Sequence, residues 1–217
     1  FYPEFETAFP ELSRKNPSSA FDVLYNSEIG RIARILDFSL KDKTTNVINM
    51  LKFMISSKSP YDILEENPKT KHILRKYNEI NSKYQTLIEK ARTHQSDKLI
   101  FFQYSGEYSI SASIANQLKY EYPDKVIVVA YLKEDMASIS LRGNRDVRAI
   151  TLEAIKDIEG ATGGGHKNAT GAKMAIEYLP DFKAKIEGSD IILESGILTV
   201  GPENNDPPSV RIIGPED

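Results

Sequence analysis

The sequence predicts an α/β protein in which a helical N-terminal part leads through a long connecting helix into a mixed β-sheet. The prediction depends on a change of period. Apolar residues recur at steps of three and four up to about residue 96, as in helices, and then occur in short runs and at steps of two, as in strands. The 217 residues, 40% of them hydrophobic, can bury one sizeable core or two small ones.

Residues 1–67 are predicted to form the helical part. Residues 1–19 are rich in proline, serine and aromatic residues and are expected to be irregular. Two helical patterns follow, carried first by Phe21, Leu24, Tyr25, Ile29, Ile32, Ile35 and Leu36, and then by Val47, Ile48, Leu51, Phe53 and Met54. Ser59-Pro60 and Asn67-Pro68 break the chain, and each suits a new helix that begins at the proline.

Residues 68–96 are predicted to form the connecting helix, which is the longest periodic element. One apolar seam about six turns long is formed by Ile73, Tyr77, Ile80, Tyr84, Leu87 and Ala91. We expect this helix to end between Thr93 and Ser96.

Residues 97–217 are predicted to form the sheet domain and a C-terminal extension. Buried strands are expected over Lys98 to Tyr104, Lys125 to Leu132 and Ala137 to Arg142. A helix over Ser109 to Tyr120 would be a right-handed crossover, which makes the first two strands parallel. The remaining expected elements are a helix over Ala149 to Glu159, a strand over Ala172 to Tyr178, a short helix opened by Pro180-Asp181-Phe182, and strand pieces at Ile197 to Val200 and Val210 to Ile213.

The most informative stretch runs from Gly163 to Asn168, with the sequence GGGHKN. Consecutive glycines reach positive φ cheaply, so their N–H groups can converge on an anion in a nest. His166 and Lys167 would add side-chain donors. The ordinary alternative is a glycine-rich turn that ends the preceding helix.

The string GGGHKNATGA, from Gly163 to Ala172, resembles the GGGHxxAxGA signature of the DHH-associated domain. That domain is the C-terminal half of DHH phosphoesterases, which include RecJ-type exonucleases and oligoribonucleases. Upstream, residues 138–142 (SISLR) lie where the family has a strand that ends in a serine-x-arginine step, although Gly143 stands where many members have serine. The resemblance covers roughly residues 97–178 and implies the mixed-sheet fold of that domain.

The resemblance also implies a site. In the family the glycine-histidine loop and the upstream arginine hold the phosphate or terminal nucleotide of the substrate. The corresponding phosphate and nucleic-acid-binding residues here are Arg142, Gly163, Gly164, Gly165, His166, Lys167 and Asn168. Guanidinium and backbone N–H groups are suitable ligands for phosphate.

The hydrolytic centre of the family is not recognisable in this chain. The three histidines are His72, His94 and His166, and there is no Asp-His-His triplet. His72 and His94 fall on or at the end of the connecting helix, where a solvated histidine is the ordinary interpretation. We therefore expect no catalytic residue and no metal ligand here, and Mn²⁺ or Mg²⁺ only where a DHH catalytic domain precedes Phe1. The alternative is a member that has lost this centre.

Three functions compete at this stage. The first is a RecJ-like binding and scaffold protein of DNA replication or repair, which resembles the catalytically silent relative that joins GINS and MCM, with an archaeal composition. The second is the substrate-binding half of an exonuclease or oligoribonuclease, and the third is a structural adaptor. A formal charge of −3 requires a local patch for any contact with single-stranded nucleic acid. The absence of cysteine favours an intracellular, cytoplasmic setting, and no apolar run reaches membrane length.

Overall fold

The computed structural model describes residues 2–13 and 17–189 and confirms the predicted α/β architecture. The predicted tail strands at 197–200 and 210–213 lie outside this part. The helical part contains α1 (Tyr2–Ala8), α2 (Ala20–Tyr25), α3 (Glu28–Ser39), α4 (Thr44–Ser56), a 3₁₀ turn at Pro60–Ile63 and α5 (Lys71–Arg92). The sheet domain contains β1 (Leu99–Ser105), α6 (Ser111–Glu121), β2 (Val126–Lys133), β3 (Met136–Arg142), α7 (Val147–Ile155), β4 (Thr162–His166), β5 (Ala169–Ala175) and α8 (Leu179–Glu187), with a 3₁₀ turn at Ile176–Tyr178.

The N-terminal prediction was wrong in two places. Residues 1–19 were expected to be irregular, but Tyr2–Ala8 is helical: Pro3 lies in the first turn, where no N–H is needed, and Phe5 and Phe9 pair one turn apart with ring centroids 5.2 Å from each other. The single pattern from Ala20 is also two helices. Ser27 caps α3 by accepting a hydrogen bond from the Gly30 N–H at 3.2 Å, which divides the run at Asn26.

The predicted connecting helix is present as α5, Lys71–Arg92, which begins three residues after the expected start at Pro68. Its apolar seam is buried apart from the half-buried Leu87, and the Tyr84 hydroxyl donates to Gln117 Oε1 on α6 at 2.5 Å. This bond ties the helical part to the sheet domain. Within residues 2–13 and 17–189, no helix is long and apolar enough to cross a membrane.

The five strands form one mixed sheet in the order β1-β2-β3-β5-β4. Strands β1 and β2 are parallel with α6 as the crossover, as predicted, and every other pair is antiparallel. The predicted strand over 172–178 begins and ends three residues earlier, because Ile176–Tyr178 turns towards α8.

The sheet separates two hydrophobic cores. Alternate residues of β1 and β2, such as Phe102 and Val129, pack with α5 and α6 and join the core of the helical part. The opposite face, represented by Val128, Ile139 and Met174, packs against α7 and α8. On the first face, α6 extends only as far as β3, and among residues 2–13 and 17–189 no helix covers β5 and β4 there.

Candidate phosphate-binding face

The glycine run is an edge strand, which corrects the predicted nest. Gly163, Gly164 and Gly165 pair with Ala172, Gly171 and Thr170 of β5. Of the three, only Gly165 has a positive φ, at 138°. A nest needs N–H groups of successive residues to converge, whereas N–H groups along a strand point alternately to opposite sides. The run is therefore one strand of a hairpin whose turn is Lys167-Asn168.

Strand alternation divides the predicted site between two faces of the sheet. The position where a Gly163 Cβ would lie is 2.8 Å from Ile155 Cδ1 of α7, so Gly163 faces the covered side. Gly165 lies on the same side by alternation, opposite the buried Thr170. Gly164 lies on the other side, and a Cβ added there would meet nothing within 4 Å.

Pairing register brings Arg142, Gly164 and His166 to the uncovered side. Arg142 is opposite Ala169, and Ala169 is opposite His166. Residues directly opposite each other share a face, and two strand spacings separate the Arg142 and His166 Cα atoms by about 10 Å. We call this surface the open face; it comprises Ser138, Ser140 and Arg142 of β3, Ala169, Gly171 and Lys173 of β5, and Thr162, Gly164 and His166 of β4.

The open face has a bare floor between charged edges. Its middle row is Ser140, Gly171 and Gly164, which carry one small side chain and two hydrogens. Lys173 and His166 are exposed, and a shallow groove of about 290 Å³ lies over Ser138, Gly171 and Lys173. A ligand can therefore lie close to the main chain here and still reach cationic side chains.

Lys167 and Asn168 fix the hairpin turn to the end of β3. The Lys167 carbonyl accepts from the Val147 N–H at 2.9 Å, and the Asn168 carbonyl accepts from the Gly143 N–H at 3.2 Å. The Asn168 side-chain amide donates to the Gly143 carbonyl at 3.0 Å. Asn168 therefore positions the turn, and the Lys167 side chain is exposed.

Arg142 is the best-defined cation of the open face. Its Nε donates to Asn116 Oδ1 at 2.6 Å, and its Nη1 donates to the carbonyls of Leu141 and Thr170 at 2.8 and 3.0 Å. Burial lowers the pKa of the guanidinium. Among the residues that the structure describes, no carboxylate pairs with Arg142, and its Nη2 has no hydrogen-bond partner. A half-buried, oriented guanidinium with two unused N–H groups suits an anionic ligand.

Sequence reasoning missed the residues that extend this site beyond Arg142. A cleft of about 390 Å³ adjoins the open face between α2, α3 and α6, and Arg142, Asn168 and Ala169 line its border. Its other polar and aromatic lining includes Tyr25, Arg34, Asp37, Lys119 and Tyr120. The exposed positions Asn116 and Tyr120, four residues apart on α6, were a detectable signal, but their proximity to Arg142 depends on the crossover.

The other two histidines make local contacts. His72 Nε2 lies 2.8 Å from Asp42 Oδ2, and His94 Nδ1 lies 2.9 Å from the Lys90 carbonyl oxygen. Within the described ranges, no three acidic or histidine side chains converge as a ligand set for a metal ion.

Comparison with protein families identifies one domain. The family model of the DHHA1 domain matches residues 96–189, which include β1 to α8 and the whole open face. No curated protein matches the chain.

Solved structures share the fold over most of the chain. RecJ from Thermus thermophilus in complex with Mg²⁺ is 17% identical, with a TM-score of 0.51, and covers 85% of this chain. An exonuclease RecJ bound to manganese is 18% identical, with a TM-score of 0.52 and the same coverage. The pGpG-specific phosphodiesterase PggH from Vibrio cholerae is 17% identical, with a TM-score of 0.53 and again 85% coverage. This chain spans only 27%, 43% and 67% of those three chains.

Proposed function

Because residues 96–189 form a DHHA1 domain with a RecJ-like fold, we propose that the open face binds the phosphates of a single-stranded nucleic acid. The observation that carries the proposal is Arg142, a half-buried guanidinium with unused N–H groups beside a glycine floor. His166, in the same cross-strand row as Arg142, and Lys173, on the other side of the glycine floor, provide further donors. Gly163 and Gly165 contribute through the strand backbone, and Lys167 lies at the adjacent turn.

Electrostatics favours a local mode of binding. The whole chain carries a formal charge of −3, so long-range attraction of a polyanion is not its source of affinity. The open face nevertheless contains Arg142 and Lys173 and no acidic residue. Each phosphate that such cations neutralise releases condensed counterions, and affinity then falls as salt rises.

The decisive variant is Arg142→Gln. We expect it to weaken binding of a labelled single-stranded DNA about 10- to 100-fold, because charge-assisted hydrogen bonds contribute about 1.5–3 kcal/mol. The slope of log affinity against log salt should also decrease by about one contact. Fluorescence anisotropy between 50 and 300 mM salt, about the range in which such slopes are measured, checks both values.

Arg148→Gln is the matched control. Arg148 is exposed on α7, which covers the opposite side of the sheet, so the variant removes the same charge far from the open face. It should change the affinity less than about threefold. Equal losses in the two variants would show that net charge alone, and not the Arg142 site, governs binding. His166→Ala should fall between them.

A second candidate is the substrate-binding half of a metal-dependent phosphodiesterase. The observation that favours it is the length of the matching structures. The chain spans 27% of a RecJ chain in complex with Mg²⁺ and 43% of an exonuclease RecJ chain bound to manganese. In that case Mn²⁺ or Mg²⁺ would be held by residues that precede Phe1. The intact mass of the native protein distinguishes the candidates: a native chain that begins close to Phe1 excludes this one.

An association with GINS and MCM is a finer proposal, which depends on the resemblance of residues 163–172 to RecJ-like proteins. It predicts co-purification of the native protein with GINS at moderate salt. Failure to recover GINS would remove this proposal and leave the binding proposal intact.

A further inference from the structure

The cleft beside Arg142 has the size and lining of a small-ligand site. Its volume of about 390 Å³ lies within the range of about 300–1,000 Å³ that is usual for such sites. One wall is formed by α2 and α3, the other by α6, and the open face begins at its border with Arg142. We call it the Tyr120 cleft and define it by Tyr25, Arg34, Asp37, Lys119, Tyr120 and Arg142.

Aromatic side chains form one side of the Tyr120 cleft. The Tyr25 ring is held in place: Phe21 lies 5.0 Å away, and the Arg34 guanidinium lies over it at 5.6 Å. Tyr120 meets Tyr25 edge to face at 6.1 Å and is 43% exposed. A supported aromatic ring with an exposed surface is a stacking platform for a planar ligand.

Charged and amide groups surround these rings. Arg34, Lys119 and Arg142 outnumber the single carboxylate, Asp37, which accepts from the Ser113 hydroxyl at 2.8 Å. An excess of cations suits a ligand that carries phosphate. Asp37 and Asn116 provide acceptors and donors of the kind that pair with the edge of a nucleobase.

We propose that the Tyr120 cleft holds an unpaired nucleobase, stacked on Tyr120, of the same strand whose phosphate lies on Arg142. The inference rests on the proposed function of the open face and adds to it a recognition element for the base. Because a paired base cannot enter the cleft, the ligand is a single strand. Stacking tolerates every base, so the cleft provides affinity without strong sequence preference.

The test compares five-nucleotide DNA strands with all-abasic strands of equal length and charge, each as a competitor against one labelled strand. Stacking of one base contributes about 1–3 kcal/mol, so the wild-type protein should bind the strand with bases about 5- to 150-fold more tightly. Tyr120→Leu should reduce that preference to nearly none and leave affinity for the abasic strand unchanged. Tyr120→Phe keeps the ring and should keep the preference.

A second variant addresses the opposite wall. Ala33 of α3 is exposed and lines the cleft, so Ala33→Leu occupies the space with an aliphatic side chain, which offers no ring for stacking, and removes no core contact. It should abolish the preference for bases, and circular dichroism should show an unchanged fold in both variants.

The outcomes separate this inference from the proposal on which it rests. Equal binding of the two strands by the wild-type protein overturns the cleft and leaves the open face as a phosphate site. A base preference that survives both Tyr120→Leu and Ala33→Leu places the base elsewhere and also overturns the cleft. Absence of binding to either strand overturns both proposals.

Discussion

Arg92 and Arg142 differ in whether the fold provides a carboxylate partner for the guanidinium. Arg92 at the end of α5 makes a bidentate pair with Glu121 of α6, at 2.9 and 2.7 Å, and a further ion pair with Glu89. The Arg92 guanidinium therefore links α5 to α6. Arg142 is oriented by an amide and two carbonyls, which satisfy its geometry but do not neutralise its charge. This difference supports the proposal that Arg142 binds a ligand.

Neighbouring glycines of β4 should respond differently to alanine. At Gly165, φ is 138° and an added Cβ would lie 2.6 Å from the Ala169 carbonyl oxygen. We expect Gly165→Ala to reduce the free energy of unfolding by about 1–3 kcal/mol, as measured by urea denaturation. Gly164→Ala meets open space and should stay within about 0.5 kcal/mol of wild type.

The same pair separates stability from binding. A Cβ at Gly164 projects from the floor of the open face, so Gly164→Ala should weaken DNA binding although the fold is unchanged. A stable Gly164→Ala protein with wild-type affinity would show that the ligand does not approach this floor.

At the level of secondary-structure elements, the sequence predicts a strand correctly where its apolar pattern matches its burial in the sheet. The run that became β2 is buried on both faces, and the run that became β1 is buried at Leu99 and Ile100 and then on alternate residues. The crossover rule then gives their parallel pairing and the place of α6. The strand β4 could not be recognised, because glycine has little preference for strands and none of its five residues is buried. Its conformation depends on pairing with β5 and cover from α7.

The candidate site could likewise be predicted only where a local sequence motif indicates it. The glycine-histidine signature indicated Gly164 and His166, and the upstream serine-x-arginine step indicated Arg142; the register brings all three to one face. The residues of the Tyr120 cleft lie on α2 and α3, on α6 about 80 residues later, and on β3, so no local pattern joins Arg34 to Tyr120. Only the tertiary structure places them together.

Close packing of α2 on α3 shapes one wall of the Tyr120 cleft. A Cβ at Gly30 would lie 2.1 Å from the Leu24 carbonyl oxygen, which belongs to the backbone and cannot rotate away. Gly30→Ala should therefore force α2 away from α3 and reduce the free energy of unfolding by about 1–3 kcal/mol in urea denaturation.

Arg31→Ala provides the control for Gly30→Ala. It removes only a surface ion pair with Glu28 at 3.2 Å and should change stability by less than about 1 kcal/mol. If Gly30→Ala is as stable as this control, then the contact between α2 and α3 is looser than the structure indicates.

The two hydrophobic cores of the molecule lie on opposite faces of one sheet. The core that α6 shares with the helical part ends at β3, and the Tyr120 cleft and the open face lie side by side along that boundary. A nucleic-acid strand that runs from the Tyr120 cleft to the open face would contact both the helical part and the sheet domain. Under the proposed function, the helical part would therefore contribute contacts to the ligand and not only support the sheet domain.

Buried tyrosines predict how the stability of the whole molecule depends on pH. Burial raises the pKa of Tyr25 to about 12, and it also raises the pKa values of Tyr84 and Tyr104 above their ordinary value of 10.0. Each folded phenol thus keeps a proton that the unfolded chain releases near pH 10. The contribution of these protonated phenols to the free energy of unfolding is fully present below pH 10, and it is lost as the pH rises towards the pKa of each phenol in the folded protein. For Tyr25 alone, the loss at pH 11 should be about 1 kcal/mol. Urea midpoints at pH 8, 9, 10 and 11 should be level at first and then fall, and Tyr25→Phe should fall less steeply; a midpoint that is constant to pH 11 would show that these phenols are open to solvent.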